Sequence, residues 1–181
     1  LVLPSLHAQI IQIHNTDGTI SEMGIGGIDS IVFLPTVTDI DGNIYNTVKI
    51  GTQVWMKENL KVTKYRNGNA IPTTTSTTIP NDSTSKYQWA YNGNDSNVAT
   101  YGRLYTWYAV TDSRNVCPSG WHVPTDAEWT ILTDYLGGTF VAGGKMKEAG
   151  TSHRSSPNTG ADNSSGFTAF PGGYRRSGGT F

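Results

Sequence analysis

The first part of the chain carries a pattern of β-branched residues that predicts strands. Residues 9–14 are rich in isoleucine, with Ile11 and Ile13 on one face and Gln12 on the other, as in a half-buried strand. An Asp-Gly pair at residues 17–18 is a strong hairpin-turn signal, and residues 19–23 are predicted to form the returning strand. Residues 28–34 predict a third strand. Because two or three strands alone are marginally stable in water, we expect this N-terminal β arm, residues 1–36, to add to another sheet.

A second hairpin is predicted immediately after the arm. Segments 37–40 and 44–50 flank the sequence Asp-Gly-Asn at residues 41–43, which favours a tight turn. The run 39–43 also resembles a calcium-binding loop. Its glycine falls too early for EF-hand spacing and no glutamate closes it, so we interpret it as a turn and predict no metal site there.

Helical spacing is confined to the second half of the chain. Residues 102–110 are predicted to form a short helix, with apolar residues at i, i+3 and i+4. Thr125 and Glu128 form a predicted capping box before a longer helix, which the glycines at 137–138 end. A third short helix is predicted from about residue 142 to residue 149.

A polar stretch between these regions predicts a loop that contains large aromatic residues. Residues 73–78 are almost entirely threonine and serine and predict an exposed loop. Aromatic side chains in such a stretch either pin the loop to the core or face a ligand, and pinning is the simpler interpretation. The alternative is a lectin-type site for glycans, for which the candidate ligand-binding residues are Trp89, Tyr91, Asn92, Asn94 and Asp95.

Composition narrows the class of protein. The 181 residues include 13 Lys+Arg and 14 Asp+Glu, giving a net charge of −1, and only 15% of residues are charged. This balance argues against binding nucleic acid or anionic membranes through charge. Few charges and many small polar residues favour a β-rich extracellular protein. The apolar start of the chain resembles the end of a secretory signal, and no apolar run is long enough to span a membrane.

Residues suited to catalysis do not form a recognisable set. The four histidines lack metal-binding spacing, and no nucleophile elbow, P-loop or dinucleotide-binding motif is present. We therefore expect no enzymatic activity, no cofactor and no metal. The single cysteine, Cys117, excludes a disulfide within the chain. It is either a small buried residue or half of a disulfide whose partner is missing from this stretch of chain.

The first fourteen residues form an apolar segment without Asp, Glu, Lys or Arg. Exposed to water, such a segment is an aggregation hazard, so we expect it to be covered within its own chain or by a copy. Strand exchange between copies, repeated head to tail, produces a fibre. The predicted partner-contact residues of this assembly arm are Val2, Leu3, Leu6, Ile10, Ile11 and Ile13.

Five runs, in order, resemble the Fibrobacter succinogenes major paralogous domain over about residues 37–181. The arm also looks like a segment that is joined to such domains in exported bacterial proteins. The runs are Asp39-Ile40-Asp41-Gly42-Asn43, Val54-Trp55-Met56-Lys57-Glu58-Asn59-Leu60, Tyr101-Gly102-Arg103-Leu104-Tyr105-Thr106-Trp107, Cys117-Pro118-Ser119-Gly120-Trp121-His122-Val123-Pro124-Thr125 and Gly166-Phe167-Thr168-Ala169-Phe170-Pro171-Gly172-Gly173.

Residues 123–129 are also similar to the core motif of the formylglycine-generating, sulfatase-modifying fold, a variant of the C-type lectin fold. The resemblance implies an α+β protein with an irregular twisted antiparallel sheet, two or three short helices and an exported setting, but no activity. The sulfatase-modifying enzymes need a cysteine pair that this chain lacks. The family domain normally continues to a closing strand that carries a second cysteine, so we expect either truncation or strands supplied by another chain.

The sequence is compatible with two functions. The first is an exported, non-enzymatic structural or adhesive surface protein that assembles with copies of itself by β-strand addition. The alternative is a monomeric lectin-type module that binds glycans.

Overall fold

The computed structural model describes residues 10–14, 19–24 and 36–181. The chain divides into two compact units, Leu1–Phe33 and Leu34–Phe181. The sequence-based boundary between arm and domain lies after residue 36.

The first unit contains the predicted hairpin. Strand β1, Ile10–His14, pairs antiparallel with β2, Ile20–Gly24, so that Ile10 lies opposite Gly24 and His14 opposite Ile20. The predicted pairing of these two strands is confirmed. The predicted third strand, residues 28–34, and the arm residues Val2, Leu3 and Leu6 lie outside the described residues.

The second unit, as far as it is described, contains three pairs of antiparallel strands. Each pair forms its own two-stranded sheet. The pairs are β3, Val37–Thr38, with β4, Ile44–Tyr45; β5, Thr47–Ile50, with β6, Gln53–Met56; and β7, Gln88–Ala90, with β8, Arg103–Tyr105.

The carboxylate of Asp39 organises the turn between β3 and β4. Its Oδ1 accepts hydrogen bonds from the backbone amides of Asp41 and Asn43, both at 2.9 Å. Its Oδ2 accepts from the side-chain amide of Asn43 at 2.9 Å and from the Tyr45 hydroxyl at 2.6 Å. An aspartate that bonds its own following backbone is an Asx turn. The turn interpretation of this segment is confirmed, and both carboxylate oxygens serve the turn.

Four α-helices lie in the second unit. They are α1, Val98–Tyr101; α2, Trp107–Val110; α3, Asp126–Tyr135; and α4, Thr139–Met146. Helix α3 begins at the predicted capping box: the Glu128 amide donates to the Thr125 hydroxyl at 3.3 Å, and the Thr125 amide donates to the Glu128 carboxylate at 2.8 Å. None of the helices in the described ranges is long and apolar enough to cross a membrane.

The helix predicted over residues 102–110 is wrong in its first half. Residues 103–105 form β8, with Leu104 opposite Trp89 of β7, and only α2 is helical. Gly102 explains the break, because its φ is +70° and a Cβ there would lie 2.5 Å from the Cβ of Asn59. Pairing with β7 overrides the local helical spacing. Helix α4 also begins and ends about three residues earlier than predicted.

Two hydrophobic clusters form the core of the second unit. Helix α3 contributes Leu132 and Leu136, four residues apart on one face, to the cluster that contains Ile50, Trp55 and Ala142. The other cluster consists of Val62, Tyr65, Ile71, Ala109, Val116 and Cys117.

An aromatic groove as the candidate functional site

A groove of about 710 Å³ opens in the second unit. Residues of β6, of β8 and of the segment that leads into α3 line it. Most of its lining side chains are apolar or aromatic, and a few polar groups lie among them. A concave, mainly apolar surface of this size is typical of a binding site.

Three aromatic rings form one wall of the groove. The ring centroids of Trp55 and Trp129 lie 4.7 Å apart, and Phe167 lies 6.0 Å from Trp55 and 6.5 Å from Trp129. Trp55 is 8% exposed, whereas Trp129 is 39% exposed. Trp129 is therefore the member of the cluster that a ligand would contact over the largest area.

A chain of polar contacts holds this aromatic wall between β6 and α3. The Trp55 indole N–H donates to Oε1 of Gln53 at 3.3 Å. The Gln53 amide in turn donates to the backbone carbonyl of Glu128 at 3.0 Å. The strand and the helix start are thereby tied together beside the groove.

Two of the charged residues that line the groove are engaged by neighbouring groups of the protein. The Glu58 carboxylate accepts from the backbone amide and the side-chain amide of Asn46, at 2.8 and 2.7 Å. The Arg103 guanidinium donates to Gln88 at 2.9 Å and to Asp95 at 2.8 Å. The charge of Arg103 is paired with that of Asp95, whereas Glu58 is hydrogen-bonded to neutral amides and keeps its negative charge.

Glu128 and His122 lie together at the start of α3. Oε1 of Glu128 lies 2.7 Å from Nε2 of His122, while Oε2 accepts from the Thr125 amide. The hydrogen bond from the Thr125 backbone, assisted by His122, lowers the pKa of Glu128. The carboxylate is thus held in its charged form as a helix cap. His122 supports this cap through its contact with Glu128.

Cys117 lines the groove and is also part of the hydrophobic core. It is a free, buried cysteine. Burial raises the pKa of its thiol to about 11, so the group is protonated and weakly nucleophilic near neutral pH. This is the environment of a small core residue, in line with the first of the two interpretations.

The candidate ligand-binding aromatics predicted from sequence lie elsewhere. Trp89 is 7% exposed, its indole N–H donates to the Thr74 carbonyl at 2.7 Å, and the Arg175 guanidinium lies 4.4 Å from its ring centroid. The interpretation of Trp89 as an exposed platform is wrong, because the side chain pins the threonine-rich loop to the core. Tyr91 is half-buried, with its ring 5.8 Å from that of Phe181.

The polar members of that predicted set are exposed but are used locally. Asn94 accepts from the Ser96 amide at 3.0 Å, and Asp95 pairs with Arg103. Asn92 is exposed and adopts a φ of +55° within a short 3₁₀ turn. None of the five predicted residues lines the groove, so the structure does not assemble them into one concave site.

Sequence reasoning missed the residues that do line the groove. The helical spacing of Trp129 with Leu132 and Leu136 predicts only that it belongs to the apolar face of α3, yet it lies one turn before the buried Leu132 and remains substantially exposed. The available signal was the concentration of tryptophan in the resemblance motifs. Within residues 10–14, 19–24 and 36–181, no group of three or more His, Cys, Asp or Glu side chains could hold a metal ion.

Comparison with known proteins identifies the family alone. No curated protein and no solved structure matches the chain. The family model of the Fibrobacter succinogenes major domain matches residues 48–181, which is more than half of the chain and includes every residue that lines the groove. The chain belongs to the Fibrobacter succinogenes major domain family.

Proposed function

We propose that this chain is an exported, non-enzymatic structural or adhesive surface protein that assembles with copies of itself by β-strand addition. The observation that carries the proposal is the construction of the groove. Strands β6 and β8 both line it, and each is a member of a two-stranded sheet with a partner on one side. Within the described residues, the other edge of β6 makes no backbone hydrogen bond, so it is available to an incoming strand.

An extended segment would gain two kinds of interaction in such a groove. Its backbone would form hydrogen bonds along a strand edge, and its alternate side chains would enter the apolar space around Trp55, Leu60 and Leu104. A head-to-tail contact of this kind does not close on itself, so repetition gives a fibre. The low charge of the chain and its signal-like start support export.

We also propose that the second unit has a C-type-lectin-like α+β fold, related to the sulfatase-modifying fold. Short antiparallel strand pairs packed with α3 and α4 support the α+β class.

A matched pair of tryptophan variants tests the assembly. Trp129 lines the groove, whereas Trp107 is 71% exposed and does not. Electron microscopy and sedimentation of the intact protein should show long polymers. Trp129→Lys, which places a charge in the groove, should abolish them, and Trp107→Lys should leave them intact. An intact protein that stays monomeric at high concentration would refute the proposal.

A lectin-type glycan-binding module is the second candidate. The observation that favours it is the exposed ring of Trp129 beside the polar groups of Gln53, His122 and Glu128. Aromatic rings with a few fixed polar groups suit neutral sugars. A monomeric protein that gives glycan-array hits, lost in Trp129→Ala and kept in Trp107→Ala, would establish this function in place of assembly.

A further inference from the structure

We infer that β6 is the edge that accepts the incoming strand and that the strand comes from the uncharged beginning of the N-terminal arm, residues 1–16, of a second copy. This inference rests on the proposed assembly and gives it a donor and an acceptor. It follows from the hydrogen-bond alternation in one hairpin, from the contacts of the competing edge and from the apolar lining of the groove.

The β5–β6 hairpin has a register that assigns a direction to every backbone group. Gly51 and Thr52 form its two-residue turn, and Gly51 has a φ of +60°. A turn of this kind closes on a hydrogen-bonded residue pair, after which bonded and non-bonded pairs alternate. The Lys57 amide donates to the Asn46 carbonyl at 2.9 Å, as this alternation requires. The hydrogen-bonded pairs are Ile50–Gln53, Val48–Trp55 and Asn46–Lys57.

Val54 and Met56 therefore belong to the non-bonded pairs. Residues in such pairs direct their N–H and C=O groups away from the neighbouring strand. Both residues line the groove. Within the described part of the chain, the backbone of residues 53–56 hydrogen-bonds only to β5. Two donors and two acceptors thus lie along the open edge of β6.

The edge of β8 is partly used. The Arg103 amide donates to the Leu60 carbonyl at 2.9 Å, and the Arg103 guanidinium donates to the Lys61 carbonyl at 3.2 Å. An incoming strand would have to displace these contacts. The edge of β6 requires no such displacement, so it is the better acceptor.

The apolar lining of the groove selects the occupant. Most of the lining side chains are apolar or aromatic, so charged side chains that entered the groove would lose their hydration. The longest stretch without Asp, Glu, Lys or Arg is residues 1–16, which holds seven Val, Leu and Ile residues. The next, residues 67–81, holds only two, and one of them is buried in the core.

Each molecule carries both the donor segment and the acceptor edge. The arm belongs to the compact unit Leu1–Phe33, whereas β6 belongs to Leu34–Phe181. An apolar arm carried on one unit and an open strand edge on the other give every molecule one donor and one acceptor. Molecules built in this way can join head to tail without limit.

Proline substitutions on the two edges of the β5–β6 hairpin test the acceptor. Val54→Pro removes the N–H that faces the groove, while Lys49→Pro removes the N–H of the residue directly opposite, on the far edge of the same hairpin. Proline is tolerated where the lost N–H points away from the partner strand. We expect Val54→Pro to raise the critical concentration for assembly about tenfold and Lys49→Pro to leave it unchanged. Circular dichroism should show that both variants are folded.

A photo-crosslinking amino acid at position 6 tests the donor. Light and heavy isotope-labelled chains are mixed, illuminated and mapped by mass spectrometry. We expect cross-links between light and heavy chains within residues 48–60. Cross-links within one chain, cross-links elsewhere or none at all would overturn the inference, as would a folded Val54→Pro protein that assembles like the parent. If Val54→Pro does not fold, the cross-links decide.

Different results would refute self-assembly and the assignment of its acceptor and donor. An intact protein that forms no assemblies refutes the proposed function. Normal assemblies in folded Val54→Pro, or normal assemblies with position 6 attached elsewhere, refute the acceptor and donor assigned here and leave self-assembly standing.

Discussion

Asp39→Ala should be among the most damaging single substitutions in the second unit. The Tyr45 side chain is fully buried, and its hydroxyl donates to Asp39 at 2.6 Å while accepting from the Lys61 amide at 2.9 Å. Burial, followed by the hydrogen bond to Asp39, raises the pKa of Tyr45 well above its usual range, so the hydroxyl keeps its proton and needs an acceptor. Leaving that donor unsatisfied costs about 1–3 kcal/mol.

The other contacts of Asp39 add to this loss. The substitution also removes the acceptor for two turn amides, which water can partly replace at a cost of about 1 kcal/mol. We therefore expect the free energy of unfolding to fall by about 3 kcal/mol. Urea unfolding followed by tryptophan fluorescence measures it, with an unchanged m-value showing that only stability has changed.

Tyr45→Phe provides the control for this prediction. It removes the same hydrogen bond from the other side while keeping the ring, and we expect a loss of about 1–2 kcal/mol. Because Asp39 and Tyr45 share a bond, their double variant should lose less than the sum of the single losses. Strict additivity, or a loss below about 1 kcal/mol in Asp39→Ala, would refute the assignment of this carboxylate as the anchor of the turn.

Three further substitutions have expected outcomes. Thr125→Ala removes the hydroxyl that caps α3 and should lower the free energy of unfolding by about 1 kcal/mol, measured by thermal or urea unfolding. Trp89→Ala empties a buried site and should cost about 3–5 kcal/mol in the same assay. The side chain of Asp112 is 4% exposed and is bonded to Arg114 and Lys86, and these bonds, chiefly the one to Arg114, lower its pKa. Its contribution, measured as the stability difference from Asp112→Asn, should be complete above its unfolded pKa of about 3.9 and disappear as the pH falls through the lower folded pKa.

Local signals predicted the hairpins and the main helix because their causes are local. The Asp39 turn, the β1–β2 pairing and the capping box of α3 each depend on residues within a few positions of one another. Residues 103–105 were predicted as helix for the opposite reason. Their strand conformation depends on β7, about fifteen residues earlier in the chain, and on the close approach of Gly102 to Asn59.

The threonine-rich loop was also only partly predictable from the sequence. Its composition predicts exposure, and most of residues 73–79 are exposed. Composition also predicts that shortening the loop is harmless, and the structure argues against this. The Thr74 carbonyl accepts from Trp89 and the Ser76 carbonyl accepts from Arg175, which lies over the same tryptophan ring. Backbone carbonyls accept the hydrogen bonds that hold this loop, and the sequence of side chains does not show which backbone groups will do so.

The groove could not be predicted from periodicity because no single element contains it. Gln53 and Trp55 come from β6, Trp129 from α3 and Phe167 from a loop near the end of the chain. The local sequence around each of the three aromatic residues predicts only that it is a core residue. Only their convergence shows that Trp55 completes a core while Trp129 remains accessible beside it. An extended apolar segment that filled this mainly apolar groove, as proposed above, would bind only the folded domain and would therefore stabilise it, so folding and the proposed assembly would be coupled through the same contacts.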